Sequence, residues 1–358
     1  MEVTDLRNLA ALVLEPAPAA MTVVTGENGV GKTTLLEAIG YASTLRTFRG
    51  GHKEALVRNG AARAVVRAEL EGAGRRALVE IEIDPARRDR VLLNRQRPDR
   101  PEDLLEVLRV SVFTPDDLAL VKAGPELRRE YLDAVLETAR PRLGMVRRAV
   151  DRALRQRNTL LRQAAGRLDG VVAATLEVWD AQLGQAGDQL VAARERLVEA
   201  VAPHAAAAFA RLTRIDEPLT LAYRRSFEGD LASALAAAHG EDLRRGTTTL
   251  GPQRDELVVS CGGLDARSRL SQGRQRSVAL ALRLAAHEVV TDKAGVRPVL
   301  LLDDAFSELD PVTAAALLAE LDRFGGGQAI LTTAGPVPNG VRAALVLHLE
   351  DGHLRTVG

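Results

Sequence analysis

The chain has a single cysteine, Cys261, in 358 residues. That excludes an internal disulfide framework and any metal site built from several cysteines. Aromatic residues make up only 3%. No apolar stretch reaches the ~18 residues of a membrane span. The start, Met1, Glu2, Val3, Thr4, Asp5, is acidic and lacks the basic residues and apolar run of a signal peptide. A soluble, cytoplasmic protein with no membrane partner is expected. Formal net charge is zero, so no global basic field announces nucleic acid, and any such binding must use local patches. Lysine occurs only at Lys32, Lys53, Lys122 and Lys293; the other basic residues are arginine. With abundant alanine, this bias suits G+C-rich coding rather than function, and it makes Lys32 stand out.

Apolar residues make up 46% of the chain, ample for a sizeable core, and the length suits about two domains. Thr25, Gly26, Glu27, Asn28, Gly29, Val30, Gly31, Lys32, Thr33 and Thr34 fit G-x-x-x-x-G-K-[ST]. Met21, Val23 and Val24 precede the run; Leu35, Leu36, Ala38 and Ile39 follow at helical spacing. The motif needs that context: a buried strand at 21–25, a glycine turn, then a helix over 32–43. The glycines let backbone N–H groups point inward and make an anion cradle. Lys32 would reach the β- and γ-phosphates, and the Thr33 hydroxyl would bind Mg²⁺.

The order of the remaining segments shapes the fold. A short strand pair precedes residue 21. Strands are expected at 54–59, 62–71, 76–83 and 90–94, where alternation such as Ala64, Val66, Ala68 and Val79, Ile81, Ile83 points to an antiparallel sheet. Val110 to Phe113 reads as another strand. From about 126 to 210 proline nearly vanishes. Leu176, Trp179, Leu183, Ala186, Leu190, Ala193, Leu197 and Ala200 then follow a 3–4 spacing, the seam of a long helix. An earlier helix carries Leu143, Val146, Val150, Leu154 and Leu161, with a break between Gly166 and Gly170. Two such helices make either a short antiparallel arm or an ordinary bundle. Pro203 is expected to end the second helix. The first helix carries Arg147, Arg148, Arg152, Arg155, Arg157 and Arg162. Such a run is either a solvated face or a phosphate-contacting patch centred on Arg147, Arg148 and Arg152. No aromatics interleave it, which argues against base stacking.

A second informative region follows. Leu270, Ser271, Gln272, Gly273, Arg274, Gln275 and Arg276 precede an apolar helix, with Ser271 in a good capping position. Val299 to Leu302 is fully apolar and ends in Asp303 and Asp304. The carboxyl end of such a strand is where an α/β sheet presents ligand groups. Asp303 would hold Mg²⁺, and Asp304 would face the attacking water. Ser307, Glu308, Leu309 and Asp310 come next, then a strand ending in Thr332 and Thr333, then a terminal hairpin.

A phosphate loop, a Ser-x-Gly signature opening a helix, an apolar strand ending in two aspartates, and Ser-x-Leu-Asp follow the ABC-type ATPase order. With Asp5 to Asn8, the Arg46-Thr47-Phe48-Arg49 loop and Gly251 to Asp255, the chain resembles the RecF-type branch of the SMC-like DNA-repair ATPases. The resemblance implies an α/β, ABC-type ATPase head, with a mixed sheet holding the P-loop and an antiparallel β subdomain, and an inserted helical arm (lobe II). The implied segments are 1–115 (first half of the head), 116–245 (arm) and 246–358 (second half). It further implies ATP and Mg²⁺ as cofactors, an ATP-dependent homodimer, binding of double-stranded DNA, and RecO- and RecR-type partners in loading recombinase at gaps. Ser271 and Gly273 would contact the γ-phosphate held by the other subunit. Asp310 would sit at the dimer seam, and Arg7 and Asn8 near the base or ribose. Asp304 replaces the usual glutamate, and Thr332 and Thr333 stand where a histidine is usual. Slow, DNA-stimulated hydrolysis is therefore expected. A transporter subunit, a small-molecule kinase and a non-hydrolysing nucleotide-sensing scaffold are the competing readings.

Overall fold

A computed structural model describes residues 1–357 except 73, 215 and 216. In chain order the first elements are β1 (Glu2–Leu6), β2 (Leu9–Val13), β3 (Met21–Thr25), α1 (Lys32–Thr44), β4 (Ala64–Gly72), β5 (Arg75–Ile83), β6 (Arg90–Leu93), α2 (Asp103–Val107) and β7 (Val110–Phe113). A helical stretch follows: α3 (Ala119–Lys122), α4 (Pro125–Ala139), α5 (Leu143–Ala164) and α6 (Gly170–Thr213). Then come β8 (Leu219–Arg224), α7 (Leu231–Ala237), α8 (His239–Arg245), β9 (Glu256–Cys261), β10 (Leu264–Asp265), α9 (Ala266–Arg269) and α10 (Gln272–Ala294). The chain closes with β11 (Val299–Asp303), α11 (Pro311–Arg323), β12 (Ala329–Thr333), β13 (Leu345–Glu350) and β14 (His353–Thr356). Two compact units emerge: Met1–Asp117 with Arg211–Thr213 and Ala286–Gly358, and Leu118–Ala210 with Arg214–Ala285. Among the described residues no helix is long and apolar enough to cross a membrane.

The first unit is built on two sheets. One is antiparallel, in the order β2-β1-β4-β5-β6; the other runs β14-β13-β3-β12-β11-β7, with only β14 antiparallel to its neighbour. α1 contacts strands of both. Leu35, Leu36, Ala38 and Ala42 on this helix are fully buried. A helix buried all round needs no polar face, which is why its apolar residues do not form one stripe. β11 lies between β12 and β7, so its continuous apolar run fits a strand covered on both faces. On β4 and β5 the buried residues alternate with Arg67, Glu69, Glu80 and Glu82, the pattern of a sheet with one wet face.

Two expectations about elements are corrected. The strand expected at 54–59 is a 3-10 turn over Lys53–Leu56, with only Val57 bridging Leu6. β4 already occupies that edge of β1 along Glu2, Val3 and Thr4. The break expected at Pro203 is absent, because α6 runs through it for 44 residues. A mid-helix proline costs about 3 kcal/mol. Beyond it Ala205, Ala208, Phe209 and Leu212 are all buried, and that packing offsets the lost hydrogen bond.

In the second unit, Asp169 caps α6 by accepting from the N–H groups of Val171 and Val172 at 3.0 and 2.8 Å. α5 and α6 meet through Leu161 and Leu176 and through Arg157, which is fully buried. Arg157 donates to Asp180 at 2.6 Å, Asp242 at 2.6 Å and Thr248 at 3.0 Å. It therefore leaves the arginine run of α5 and is part of the unit's interior.

Candidate nucleotide site

The loop between β3 and α1 takes its shape from glycine. Gly26, Gly29 and Gly31 have φ of 149°, 88° and 115°, a region costly for residues with a Cβ. At Gly26 a Cβ would stand 2.5 Å from the Leu349 carbonyl oxygen, which is backbone and cannot yield. Glu27, Asn28 and Gly29 are exposed, Val30 is half-buried, and Gly31, Lys32, Thr33 and Thr34 lead into α1.

Lys32 is buried, and its ammonium donates to the carbonyls of Gly26 and Glu27, both at 2.7 Å. Burial lowers its pKa, while the charges of Asp304 and Asp303 act the other way. The two carbonyls account for two of its three donors. The Thr33 hydroxyl donates to Asp303 Oδ1 at 2.9 Å. Asp303 ends β11, two strands from β3, and is buried. Burial raises its carboxyl above the usual range; hydrogen bonds from Thr332 and Thr33 and the charge of Arg49 oppose that rise.

Thr332 lies on β12 between the two halves, paired in register with Val24 and Asp303. Its hydroxyl donates to Asp303 Oδ1 at 2.7 Å and accepts from the Asp304 N–H at 3.2 Å. The same N–H reaches the Thr332 carbonyl at 3.1 Å. Asp304 has φ of 46°, a left-handed conformation that aspartate tolerates better than bulkier residues.

Arg7 and Asn8 brace the loop. Asn8 donates to the Gly29 carbonyl at 2.6 Å and accepts from the Thr34 hydroxyl at 2.9 Å. Arg7 pairs bidentately with fully buried Glu37 of α1, which also accepts from the Thr47 hydroxyl. Arg49 and Thr332 were missed from sequence as parts of the site. The Arg46-Thr47-Phe48-Arg49 run was visible, but nothing in the sequence sets the Arg49 charge close enough to Asp303 to favour its ionised form.

Ser271 and Gly273 belong to the second unit. Both are exposed at the start of α10. A Cβ on Gly273 would meet nothing within 4 Å, so no described residue of its own chain requires a glycine there. Asp310 is exposed and caps α11, accepting from the N–H groups of Val312 and Thr313 at 3.0 Å each. Of the arm arginines, Arg147 lies 3.4, 3.8 and 4.0 Å from the carboxylates of Asp133, Glu137 and Asp151. Arg148 is half-buried and Arg152 exposed.

The donor set fits a nucleotide with a hard divalent cation. A glycine-shaped loop at a helix N-terminus suits phosphate. A hydroxyl beside a buried carboxylate supplies the oxygen ligands Mg²⁺ prefers. A carboxyl pushed up by burial is also one that a cation would stabilise.

A parallel sheet whose central strand opens into such a loop, with strand-end carboxylates beyond one intervening strand, defines a P-loop head of the ABC-type, SMC-like ATPase class. The RecF/RecN/SMC N terminal domain family matches residues 1–337. The DNA replication and repair protein RecF of Streptomyces avermitilis is 40% identical over 374 residues, covering 100% of this chain and 99% of that protein. The RecF of Frankia alni is 43% identical, covering 90% and 89%. The solved structure of the recombination mediator protein RecF-ATP in the RecFOR pathway superposes with a TM-score of 0.90 at 25% identity, covering 100% of this chain and 96% of that one. An Smc head domain from Pyrococcus furiosus shares the fold, with a TM-score of 0.58 and 16% identity over 99% of this chain and 94% of that one. The chain belongs to the RecF family of DNA replication and repair proteins.

Proposed function

We propose that this chain is an ATP-gated DNA clamp acting at gaps in recombinational repair. It pairs with a second copy on binding ATP and lets go after slow hydrolysis. The observation that carries this reading is the joined set of Lys32, Thr33, Asp303, Asp304 and Thr332 around one glycine loop. Lys32 holds the β- and γ-phosphates, and the loop N–H groups from Gly29 to Thr34 surround them. Thr33 and Asp303 hold Mg²⁺, which when bound offsets phosphate charge. Asp304 orients the attacking water and takes its proton. An aspartate reaches less far than a glutamate, which supports slow turnover. Arg7 and Asn8 act by fixing the loop from behind. The ATP-bound RecF relative supports ATP as the nucleotide.

Ser271 and Gly273 of one copy close over the ATP of the other. Their exposure and the open space at Gly273 support a contact from outside the chain. ATP then binds the paired state better than the single one, which is the condition for any ligand to shift an equilibrium. Double-stranded DNA is held by cationic surface. The run Arg87, Arg88, Arg90, Arg95, Arg97 and Arg100 along and beside edge strand β6 is exposed throughout. It is a stronger phosphate-binding candidate than the arm patch, where Arg147 already faces three carboxylates. DNA stimulates hydrolysis, and proteins of the RecO and RecR type are the partners, as the RecFOR setting of the relatives suggests.

Sedimentation with ATP, ADP or no nucleotide, with and without duplex DNA, tests this. Dimer is expected only with ATP. Lys32→Met should stay monomeric; a dimer of unchanged stability in that variant sinks the switch. Ser271→Arg should bind ATP yet fail to pair. Reversing Arg88, Arg90 and Arg97 should weaken DNA binding and lower its salt dependence. If reversal at Arg147, Arg148 and Arg152 does so instead, the arm holds the DNA.

A further inference from the structure

Between α5 and α6 lies a groove of about 560 Å³ that the nucleotide reading does not use. Its cause is local. The two helices are clamped together at one level by Leu161, Leu176 and the Arg157–Asp180 pair. Farther along, the facing residues are Ala149, Ala153 and Ala186, too small to fill the gap. Trp179 and Val146 complete an apolar floor, and Arg152 and Arg155 stand among the lining residues, which include no carboxylate. Of the lining residues, Met145 is 41% exposed, and Gln156, Gln182, Gln185 and Gln189 complete the rim. Of the exposed positions on α6 from Val171 to Gln189, only Glu177 carries a charge. A solvated helix face normally carries several charges; this one is uncharged but for Glu177, with Val171, Ala174, Val178 and Ala181 exposed among glutamines.

We propose that this groove receives an amphipathic helix of a partner protein, with an apolar stripe on the Trp179 floor and acidic residues beside Arg152 and Arg155. The dimensions suit it. The lining of α5 from Met145 to Gln156 spans about 16 Å, roughly three helical turns. Helix-in-groove recognition uses apolar anchors at i, i+3/i+4 and i+7, and a half-buried tryptophan with flanking arginines is the composition of an interface centre. The charges select the occupant. A second copy using the same face would set Arg152 and Arg155 against their counterparts, which like-charge repulsion disfavours. A nucleic acid would leave the apolar floor unmatched. The inference is independent of the nucleotide site.

Trp179 is the only tryptophan in the chain, so intrinsic emission of the full-length protein reads the groove directly. The probes are two synthetic, tryptophan-free 18-residue helices with the same leucine stripe, one flanked by glutamates and one by lysines. The glutamate peptide should shift Trp179 emission saturably to the blue and bind at least ten-fold tighter than its lysine twin. The double variant Arg152→Glu, Arg155→Glu, with its fold checked by circular dichroism, should reverse that preference. Equal binding of both peptides, no saturable shift from either, or an unchanged preference in the double variant overturns the proposal. A duplex that shifts the emission and displaces the glutamate peptide also overturns it, in favour of a nucleic-acid surface.

Discussion

Thr332→Val tests how the site holds its carboxylate. The hydroxyl is fully buried and donates to Asp303 Oδ1 at 2.7 Å. Asp303 is already pushed toward its neutral form by burial, with Thr332 the first of the groups opposing it. Valine nearly matches threonine in volume, so no cavity opens and the change is chemical. A hydrogen bond to a charged group contributes about 1.5–3 kcal/mol. Removing a hydrogen-bonded support of a metal ligand typically lowers affinity about 10–100-fold, and the two ranges agree at about 1.4 kcal/mol per factor of ten. Thr332→Val should therefore raise the Mg²⁺ concentration for half-maximal ATP turnover by about 10–100-fold. ATP affinity measured in EDTA should barely change, because Lys32 and the loop are untouched. Thr332→Ser should restore most of the loss. A Mg²⁺ titration that superposes on the native one would refute the argument, as would a serine variant no better than valine.

Three further outcomes follow from particular contacts. Asp304→Asn should keep ATP binding and pairing but lower turnover by about 10²–10⁴-fold, the usual contribution of a general base; a native rate in single-turnover assays removes Asp304 from that role. Arg157→Met removes the guanidinium that Asp180 and Asp242 share, leaving Asp180 with His239 and Asp242 with Thr249, and should destabilise the second unit by about 3–5 kcal/mol, read by urea unfolding followed at Trp179; a loss below about 1 kcal/mol would mean solvent-like behaviour. His287 is buried beside Ser111 and Phe324, and burial, with the Arg297 charge, lowers its pKa to about 4. The unfolded chain takes up this proton near pH 6.5 and the folded chain only near 4. Its contribution to stability is thus intact above 6.5 and declines as pH falls to about 4, by about 3 kcal/mol in all. His287→Gln should flatten that part of the stability–pH curve, and an unchanged slope would show that other groups carry it.

Much of the head was legible because its constraints are local. A buried strand, a glycine turn and a helix start must be adjacent in sequence, and β3 and α1 fall where the motif put them. β11 and its closing aspartates were equally plain, since a central parallel strand needs an unbroken apolar run. Pro203 misled because propensity is a weak prior against a helix buried on both sides of the proline. Arg157 misled for a different reason. Its partners lie 23, 85 and 91 residues away, and nothing near it in sequence distinguishes it from Arg155, which is exposed.

That difference in range also explains which atoms of the nucleotide site were found. Motifs identify groups that face a ligand, because phosphate geometry dictates their spacing. The groups that hold them obey sheet register instead. Thr332 meets Asp303 across 29 residues, and Thr33 meets it across 270. Asn8 closes on the Gly29 carbonyl from 21 residues away. Only the order β3-β12-β11 puts Thr332 beside both halves. From sequence, Thr332 and Thr333 registered as a missing histidine. In the fold, Thr332 is a short, fully buried hydroxyl that donates to one aspartate and accepts from the N–H of the next. Thr332 thus ties β12 to the carboxylate that ends β11.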